Sequence, residues 1–225
     1  MVISGGEAGA FYVRQLLRAV AAGKLETERI VVVDRDPCCS ARSHSDERLE
    51  FAVAAWSDWL DAHLRGLSPD DHLVPYHWAP HLLVEWLRRE TERATSSSVL
   101  RGESPLPAFA LPFERDTRDG DRALSYASWP CPPACIEPEL CPHTRGPKHW
   151  SLAARLATAP SGFDAALVFR SLHLVQGVGT IPVAEIHAAL ERLLALARGG
   201  ERRLLVATAS HCHGLATALT VRPRG

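Results

Sequence analysis

The sequence predicts an α/β protein with one open, mostly parallel sheet and helices on both of its faces. Short apolar runs of strand length alternate along the chain with stretches in which apolar residues recur at helical spacing, as in parallel-sheet proteins. The chain has 225 residues, of which 46% are apolar and 23% are charged, and this is an ordinary globular composition. We therefore expect a single domain over residues 1–225, with a long proline- and cysteine-rich insertion loop at residues 95–150.

The N-terminal stretch shows the order strand, glycine turn, helix and strand. A short apolar run ends at Ser4, helical spacing continues to Gly23, and the run RIVVV at Arg29–Val33 leads into Asp34. In such a unit one glycine lets the backbone approach a pyrophosphate, and another lets the helix pack closely. The acid at the end of the second strand accepts hydrogen bonds from ribose hydroxyls.

This stretch resembles the Rossmann-type NAD(P)- or FAD-binding superfamily on two motifs, SGGEAG at Ser4–Gly9 and VVVD at Val31–Asp34. Gly6 and Gly9 match the second and third glycines of that superfamily, and Ser4 stands at the position of the first. The resemblance covers about the first 40 residues and implies a Rossmann-like sheet with bound NAD(P) or FAD. An S-adenosylmethionine site is an alternative use of such a turn. The cofactor-binding residues that the resemblance implies are Ser4, Gly5, Gly6, Gly9, Asp34 and Arg35.

The next elements continue the alternating order. We predict a strand over Leu49–Ala54 and a helix over Trp56–Leu67, although one long helix also fits the spacing there. A further strand is predicted over His72–Tyr76 and a further helix over His81–Arg93. Ligands in open α/β sheets bind beyond the carboxyl ends of the strands, so His77 is a candidate catalytic residue.

The segment Thr95–Arg122 contains serines, prolines and a charged run, and it shows no sustained periodicity. We interpret it as a long connection that leads into the stretch WPCPPACIEPELCPHTRGPKHW at Trp129–Trp150. A proline-rich backbone can hold several thiolates open for one metal without a helix or a strand. In a reducing cytosol, clustered cysteines are more often metal ligands or redox groups than disulfides.

The predicted metal ligands begin with the spacing C-x3-C-x5-C at Cys131, Cys135 and Cys141. Three thiolates are one short of a closed site, and the fourth ligand is either His143 or the distant Cys212. Four cysteines favour an iron–sulfur cluster, whereas His143 or His211 as the fourth ligand favours zinc. The adjacent Cys38 and Cys39 are interpreted as structural.

The C-terminal half repeats the order strand, glycine turn, helix and strand. We expect it to complete the same parallel sheet. His173 and His211 lie near the ends of predicted strands, and with His77 they are the candidates for protonating a substrate. The predicted elements are a short helix at Ser151–Ala157, a strand at Phe163–Leu174, a glycine turn at Gln176–Pro182, a helix at Val183–Arg198, a strand at Arg203–Ser210 and a last apolar element at Leu215–Val221.

Taken together, the N-terminal glycine turn and the clustered cysteines favour an oxidoreductase. It would bind a dinucleotide at the glycine turn and a metal centre at the cysteines. The alternatives are a non-enzymatic nucleotide-sensing module with a structural zinc, or an S-adenosylmethionine-dependent transferase. The expected partner is a small-molecule substrate or a redox protein. A net charge of −1 argues against a nucleic-acid partner, and no apolar run reaches the roughly 18 residues of a membrane span. The N-terminus lacks a signal-peptide pattern, so we expect a cytoplasmic protein.

Overall fold

The computed structural model describes residues 2–75, 82–132, 135–175 and 177–224. The chain divides into two compact units. The first unit comprises Met1–Leu82, Pro133–Ile136 and Leu172–Glu185. The second unit comprises Leu83–Pro132, Glu137–Ser171 and Ile186–Gly225.

The described residues form five α-helices and twelve β-strands. Two short 3-10 helices, at Ser40–Ser43 and Leu64–Gly66, supplement them. Along the chain the order is β1 (Val2–Ile3), α1 (Glu7–Ala21), β2 (Ile30–Asp34), β3 (Leu49–Val53), α2 (Trp56–His63), β4 (His72–Leu73), α3 (Leu82–Ala94), β5 (Ser97–Arg101), β6 (Phe113–Asp116), β7 (Arg122–Ser125), α4 (Leu152–Leu156), β8 (Ala165–Arg170), β9 (Leu172–Val175), β10 (Val178–Pro182), α5 (Val183–Ala197), β11 (Arg202–Ala209) and β12 (His213–Pro223).

The first unit contains two small sheets. Strands β1, β2 and β3 are parallel and lie in that order, with α1 connecting the first two. Strands β4, β10 and β9 form an antiparallel sheet in that order. Val13 and Leu16 of α1 pack with Val32 of β2 and with Val178 of β10 in one buried apolar cluster. This cluster is the core of the first unit, and its burial stabilises both sheets.

The glycine turn between β1 and α1 has an unusually tight backbone. A Cβ atom added at Gly9 would overlap the carbonyl oxygen of Ser4, so the helix packs against the end of β1 only because residue 9 is glycine. Ser4 itself has φ +83°, a left-handed conformation that glycine favours. The turn therefore has the conformation expected when its first residue is glycine, although that residue is serine.

The second unit is organised by the eleven-residue strand β12. One edge of β12 pairs with β11 along its length, from Arg202 opposite Val221 to Ala209 opposite Gly214. The other edge pairs with β7 at its start and with β5 at its end. The sheet order is β6-β7-β12-β11-β8, and β5 joins through β12 alone. Among the strand pairs that the described residues form in this sheet, only β8–β11 is parallel, so the sheet is mixed and rich in antiparallel pairs.

The core of the second unit includes a cluster under α4. Leu152 and Leu156 of α4 are buried with Leu124 of β7 and Leu205 of β11. Helices α3 and α5 also carry fully buried stripes, which include Trp86 on α3. The sequence predicts both as amphipathic helices, because apolar residues at helical spacing lie on one face of a helix. That face packs against the core.

Most of the locally predicted elements are confirmed. The order β1, α1, β2 with a parallel β1–β2 pair agrees with the predicted N-terminal unit. Strand β3 and helix α2 confirm the predicted strand followed by a helix, and not the alternative of one long helix. Helices α3, α4 and α5 and strand β11 also lie where the periodicity predicts them.

The predicted fold class is wrong, because the sheets do not form one open, mostly parallel Rossmann-like sheet with helices on both faces. The connection between β11 and β12 is Ser210–Cys212, which is too short for a parallel crossover and allows only a hairpin. The predicted glycine turn at Gln176–Pro182 is largely the antiparallel strand β10. The segment Thr95–Arg122 is not one long irregular connection, since it contains β5 and β6, and both belong to the six-stranded sheet.

Substitution of two glycines in the β1–α1 turn tests its geometry. We expect Gly9→Ala to lower the free energy of unfolding by about 1–3 kcal/mol or more, because the new methyl group would overlap backbone. Gly6→Ala is the matched control, since its Cβ would contact only the Ser4 hydroxyl at 3.7 Å, and its cost should stay below about 1 kcal/mol. Urea denaturation followed by circular dichroism measures both. Equal stability of the two variants would contradict the close packing at Gly9.

Candidate functional site

A closed loop of the second unit surrounds Cys141. Leu140 and Pro147 form an isolated antiparallel bridge at the base of the loop. The Cys141 N–H donates to the Gly146 carbonyl at 2.9 Å, and the Arg145 N–H donates to the Cys141 carbonyl at 2.8 Å. These hydrogen bonds fix the backbone of a segment that has no helix or extended strand, as the proline-rich sequence predicts.

The sulfur of Cys141 lies among hydrogen-bond donors inside this loop. A hydrogen bond from the Thr144 backbone N–H lowers the pKa of the Cys141 thiol from its ordinary value. Burial opposes this effect, while the Thr144 hydroxyl, the His143 N–H and the Lys148 charge reinforce it. Only 7% of Cys141 is exposed. The loop therefore stabilises a thiolate at a largely enclosed position.

Cys212 lies in the turn of the β11–β12 hairpin and is 8% exposed. Burial raises the pKa of its thiol to about 11, so the sulfur carries a proton at neutral pH. The charges of Glu137 and Cys131 raise this pKa further, whereas Trp150 and the charge of Lys148 lower it. Cys131 and Cys212 thus lie within electrostatic range of each other. Lys148 is a charged neighbour of both Cys212 and Cys141.

The Glu137 carboxylate binds the turn of this hairpin. It accepts hydrogen bonds from the Ser210 hydroxyl at 2.6 Å, the His211 N–H at 2.8 Å and the Cys212 N–H at 3.0 Å. Glu137 has φ +50°, which is uncommon for a residue other than glycine. Successive N–H groups that converge in a turn form a site for an anion, and here the anion is a side chain of the same unit.

Two tryptophans flank the cysteine segment and are held by ring stacking. Trp129 stacks on His143 with ring centroids 4.7 Å apart and an interplanar angle of 9°. Trp150 stacks on Tyr126 with centroids 5.6 Å apart and an angle of 27°. The Nε1 atoms of Trp129 and Trp150 are both buried, and neither makes a hydrogen bond of ordinary geometry with the described residues.

The structure places four of the five predicted metal ligands in the second unit. These are Cys131, Cys141, Cys212 and His143, whereas Cys135 belongs to the first unit. All six cysteines of the chain lie among the described residues, and none of them forms a disulfide. Among the described residues, no three Cys, His, Asp or Glu side chains converge at metal-binding distance. The metal set, including Cys135, stays a prediction.

The predicted dinucleotide-binding turn is held together by Asp34. Its Oδ2 accepts from the Gly5 N–H at 2.6 Å, and its Oδ1 accepts from the Asp36 N–H at 2.9 Å. Gly6 is the N-cap of α1 and, because it is glycine, it supplies no side-chain cap to the helix. Arg35 is exposed. Because both carboxylate oxygens already bind the turn, the Gly5 N–H is not free for a phosphate, while the remaining lone pairs of Asp34 can still accept from ribose.

The candidate catalytic histidines have different surroundings. His77 lies outside the described residues. His173 of β9 is exposed and its Nε2 donates to the Cys135 carbonyl at 3.1 Å. His211 lies in the β11–β12 turn, where its N–H binds Glu137. The described geometry favours neither His173 nor His211 as a proton donor, and the roles of all three histidines stay predictions.

Sequence reasoning missed the polar residues that support the cysteines. Glu137, Lys148 and Thr144 lie within or just after the C-x3-C-x5-C spacing, and no motif marks them. His213 was also missed. Its Nδ1 lies 2.9 Å from the Ser125 hydroxyl, and burial lowers its pKa. An acid between two cysteines was the one signal available for Glu137.

The fold and the site together define a two-unit α/β protein whose second unit carries the enclosed cysteines. This second unit is the part that the comparison with protein families identifies. The chain belongs to the family described as "Uncharacterized protein, C-terminal domain", whose model matches residues 83–222. The match begins at Leu83, which is also the first residue of the second unit.

The other comparisons add little to the family assignment. Neither the curated proteins nor the solved structures contain a match to this chain. Within the described part of the chain, every helix is too short or too polar to cross a membrane.

Removal of the Glu137 charge tests how the cysteine segment is held. We expect Glu137→Gln to lower the free energy of unfolding by about 1–3 kcal/mol, because the amide NH2 group would face a backbone N–H and leave it without an acceptor. Glu139→Gln is the matched control in the same segment, at an exposed position, with an expected change within about 0.5 kcal/mol. Urea denaturation of both variants measures the difference. An effect of Glu139→Gln as large as that of Glu137→Gln would refute the proposed anchoring.

Proposed function

We propose that this protein is a metalloprotein whose centre is held by the thiolates of Cys131, Cys141 and Cys212, and that it acts as an oxidoreductase. The observation that carries the proposal is the set of donors around the Cys141 sulfur. A neutral thiol is a weak acceptor, and it gains little from such donors. A thiolate gains much more, and thiolates are the sulfur ligands of zinc and of iron–sulfur clusters.

The surroundings of Cys212 also fit a metal ligand. Its thiol is nine-tenths buried and has a high pKa, so in the absence of a metal the sulfur keeps its proton. A metal ion replaces that proton and supplies positive charge at the buried sulfur. The Lys148 charge lowers the pKa of both Cys141 and Cys212, and it would balance part of the negative charge of several thiolates. This positive charge supports an anionic thiolate centre, although the described ligands do not converge on one point.

The proposed centre leaves two ligand sets open. His143 as a fourth ligand with the three cysteines corresponds to zinc, whereas a fourth sulfur ligand would favour an iron–sulfur cluster. When bound, a cluster transfers single electrons, and zinc either closes a structural site or polarises a substrate. Within this chain, the Cys141 loop and the Glu137 anchor hold the thiols in the second unit. A metal centre that takes part in the reaction would have to be a cluster or an open zinc site, whereas a closed zinc site favours a non-enzymatic module.

A dinucleotide at the glycine turn is the second part of the proposal. The supporting observation is the close packing of Gly9 on Ser4, together with the left-handed conformation of Ser4. Both belong to the tight turn that a nucleotide phosphate approaches. The Asp34 carboxylate opposes an anion at this point, so binding requires that Asp34 release the Gly5 N–H. S-adenosylmethionine, which carries no phosphate, is the competing ligand, and it implies a transferase.

Metal content of the purified protein tests the thiolate centre. We expect protein purified without oxygen to contain either one equivalent of zinc or iron with inorganic sulfide and broad visible absorbance. Cys131→Ser, Cys141→Ser and Cys212→Ser should each lose most of this metal, because each removes a ligand. Cys38→Ser is the control, since Cys38 is an exposed cysteine of the first unit. Elemental analysis and an absorption spectrum measure the result. Full metal content in all four variants, or none in the wild type, would sink the proposal.

Ligand titration tests the glycine turn. We expect NAD(H), NADP(H) or FAD to bind the wild-type protein, and Gly6→Ala to weaken this binding at least tenfold, because a methyl group blocks the close approach of a phosphate. The fold tolerates this methyl group, as its nearest neighbour is the Ser4 hydroxyl. Gly66→Ala is the control, since an added Cβ there meets no atom within 4 Å. Calorimetry measures the affinities. Tight binding of S-adenosylmethionine alone would replace the dinucleotide proposal with a transferase.

A further inference from the structure

The turn between β11 and β12 directs three hydrogen-bond donors at one carboxylate. They are the Ser210 hydroxyl and the backbone N–H groups of His211 and Cys212, which donate to Glu137 at 2.6, 2.8 and 3.0 Å. The two N–H groups are consecutive, and consecutive N–H groups in a turn form a concavity that binds anions. The turn therefore has the geometry of an anion site, and the anion that fills it in this structure belongs to the chain itself.

The hairpin and α4 hold these donors through contacts that do not involve Glu137. The Ser210 N–H donates to the His213 carbonyl at 2.8 Å, and this bond closes the turn. The first two N–H groups of α4 donate to the carbonyls of His211 and Ser210 at 2.9 and 3.3 Å. The Ser210 hydroxyl oxygen accepts from the His213 N–H at 3.2 Å, which fixes its position. The site is therefore preorganised by the sheet and the helix.

Glu137, in contrast, comes from an irregular part of the chain. It lies in neither a helix nor a strand, and it is half-buried. Its φ of +50° is a left-handed conformation that is unfavourable for a residue with a Cβ atom. The free energy that Glu137 gains in the turn is therefore partly offset by its own backbone. An external carboxylate does not carry this cost, although it loses translational freedom on binding.

We propose that the Ser210–Cys212 turn is a binding site for the carboxylate group of a small-molecule ligand, and that Glu137 is its internal competitor. The ligand class follows from the way the donors are shared. Ser210 and Cys212 donate to one carboxylate oxygen, and His211 donates to the other. A phosphate has a further oxygen and a second charge, for which these three donors provide no partner. The site needs neither a metal nor a dinucleotide, so its occupancy is independent of the proposed function.

A titration of the full chain with acetate, followed by the amide NMR signals of His211 and Cys212, tests this site. Glu137→Gly removes the carboxylate, and glycine favours the left-handed conformation of residue 137. In this variant we expect both signals to shift and to saturate at constant ionic strength. Wild-type protein should need at least about tenfold more acetate, because its own carboxylate competes. Glu139→Gln, at an exposed position of the same segment, is the control and should behave as wild type.

Two further arms test the donors and the ligand class. Ser210→Ala added to Glu137→Gly should weaken acetate binding, because one of the three donors is lost. Inorganic phosphate should bind Glu137→Gly more weakly than acetate does, and tighter binding of phosphate would overturn the assignment to a carboxylate.

A folded Glu137→Gly protein that binds acetate no more tightly than wild type would show that the turn is only a structural anchor. If Glu137→Gly does not fold, the wild-type titration decides. Shifts of the His211 and Cys212 amides that are larger with acetate than with chloride support the site, and equal shifts with the two salts overturn it.

Discussion

Strand β12 is the constraint on which the second unit depends. It is hydrogen-bonded on one edge to β11 and on the other edge first to β7 and then to β5. A one-residue slip of β12 would turn its buried side chains to the opposite face along all three pairings. The register is therefore strongly specified, and the turn at Ser210–Cys212 is held in one position relative to the core.

The turn at Ser210–Cys212 is the part of the hairpin to which the Glu137 carboxylate binds. The Glu137 carboxylate accepts hydrogen bonds from the His211 and Cys212 N–H groups of the turn. Glu137, which lies between Cys135 and Cys141 in the sequence, is therefore next to Cys212. The loop around Cys141 then closes through its own backbone hydrogen bonds. An irregular, proline-rich segment gains few contacts of its own, so it depends on such anchors to hold thiols near one another. The register of β12, the Glu137 carboxylate and the loop around Cys141 therefore all contribute to the surroundings of the Cys141 and Cys212 sulfurs.

The first unit shows how one local motif can occur in more than one fold. The order strand, glycine turn, helix and strand is present, and Gly9 packs as such a turn requires. The sheet that continues from it has only three strands, and a separate antiparallel sheet completes the unit. Asp34, the residue expected to meet a ribose, instead bridges the turn through Gly5 and Asp36. The motif determines a backbone turn, while its ligand depends on how that carboxylate is used.

The sequence by itself determined the helices, most strands and the segment that carries the clustered cysteines, because apolar periodicity, glycines and residue type act over a few neighbouring residues. Only the tertiary structure decided which strands pair, since partner and direction depend on contacts between residues far apart in the chain. It also decided that the Glu137 carboxylate accepts a hydrogen bond from the Cys212 N–H, 75 residues further along the chain. The sequence shows which cysteines are clustered, whereas the long-range hydrogen bonds of the β11–β12 hairpin determine which donors and charges surround their sulfurs.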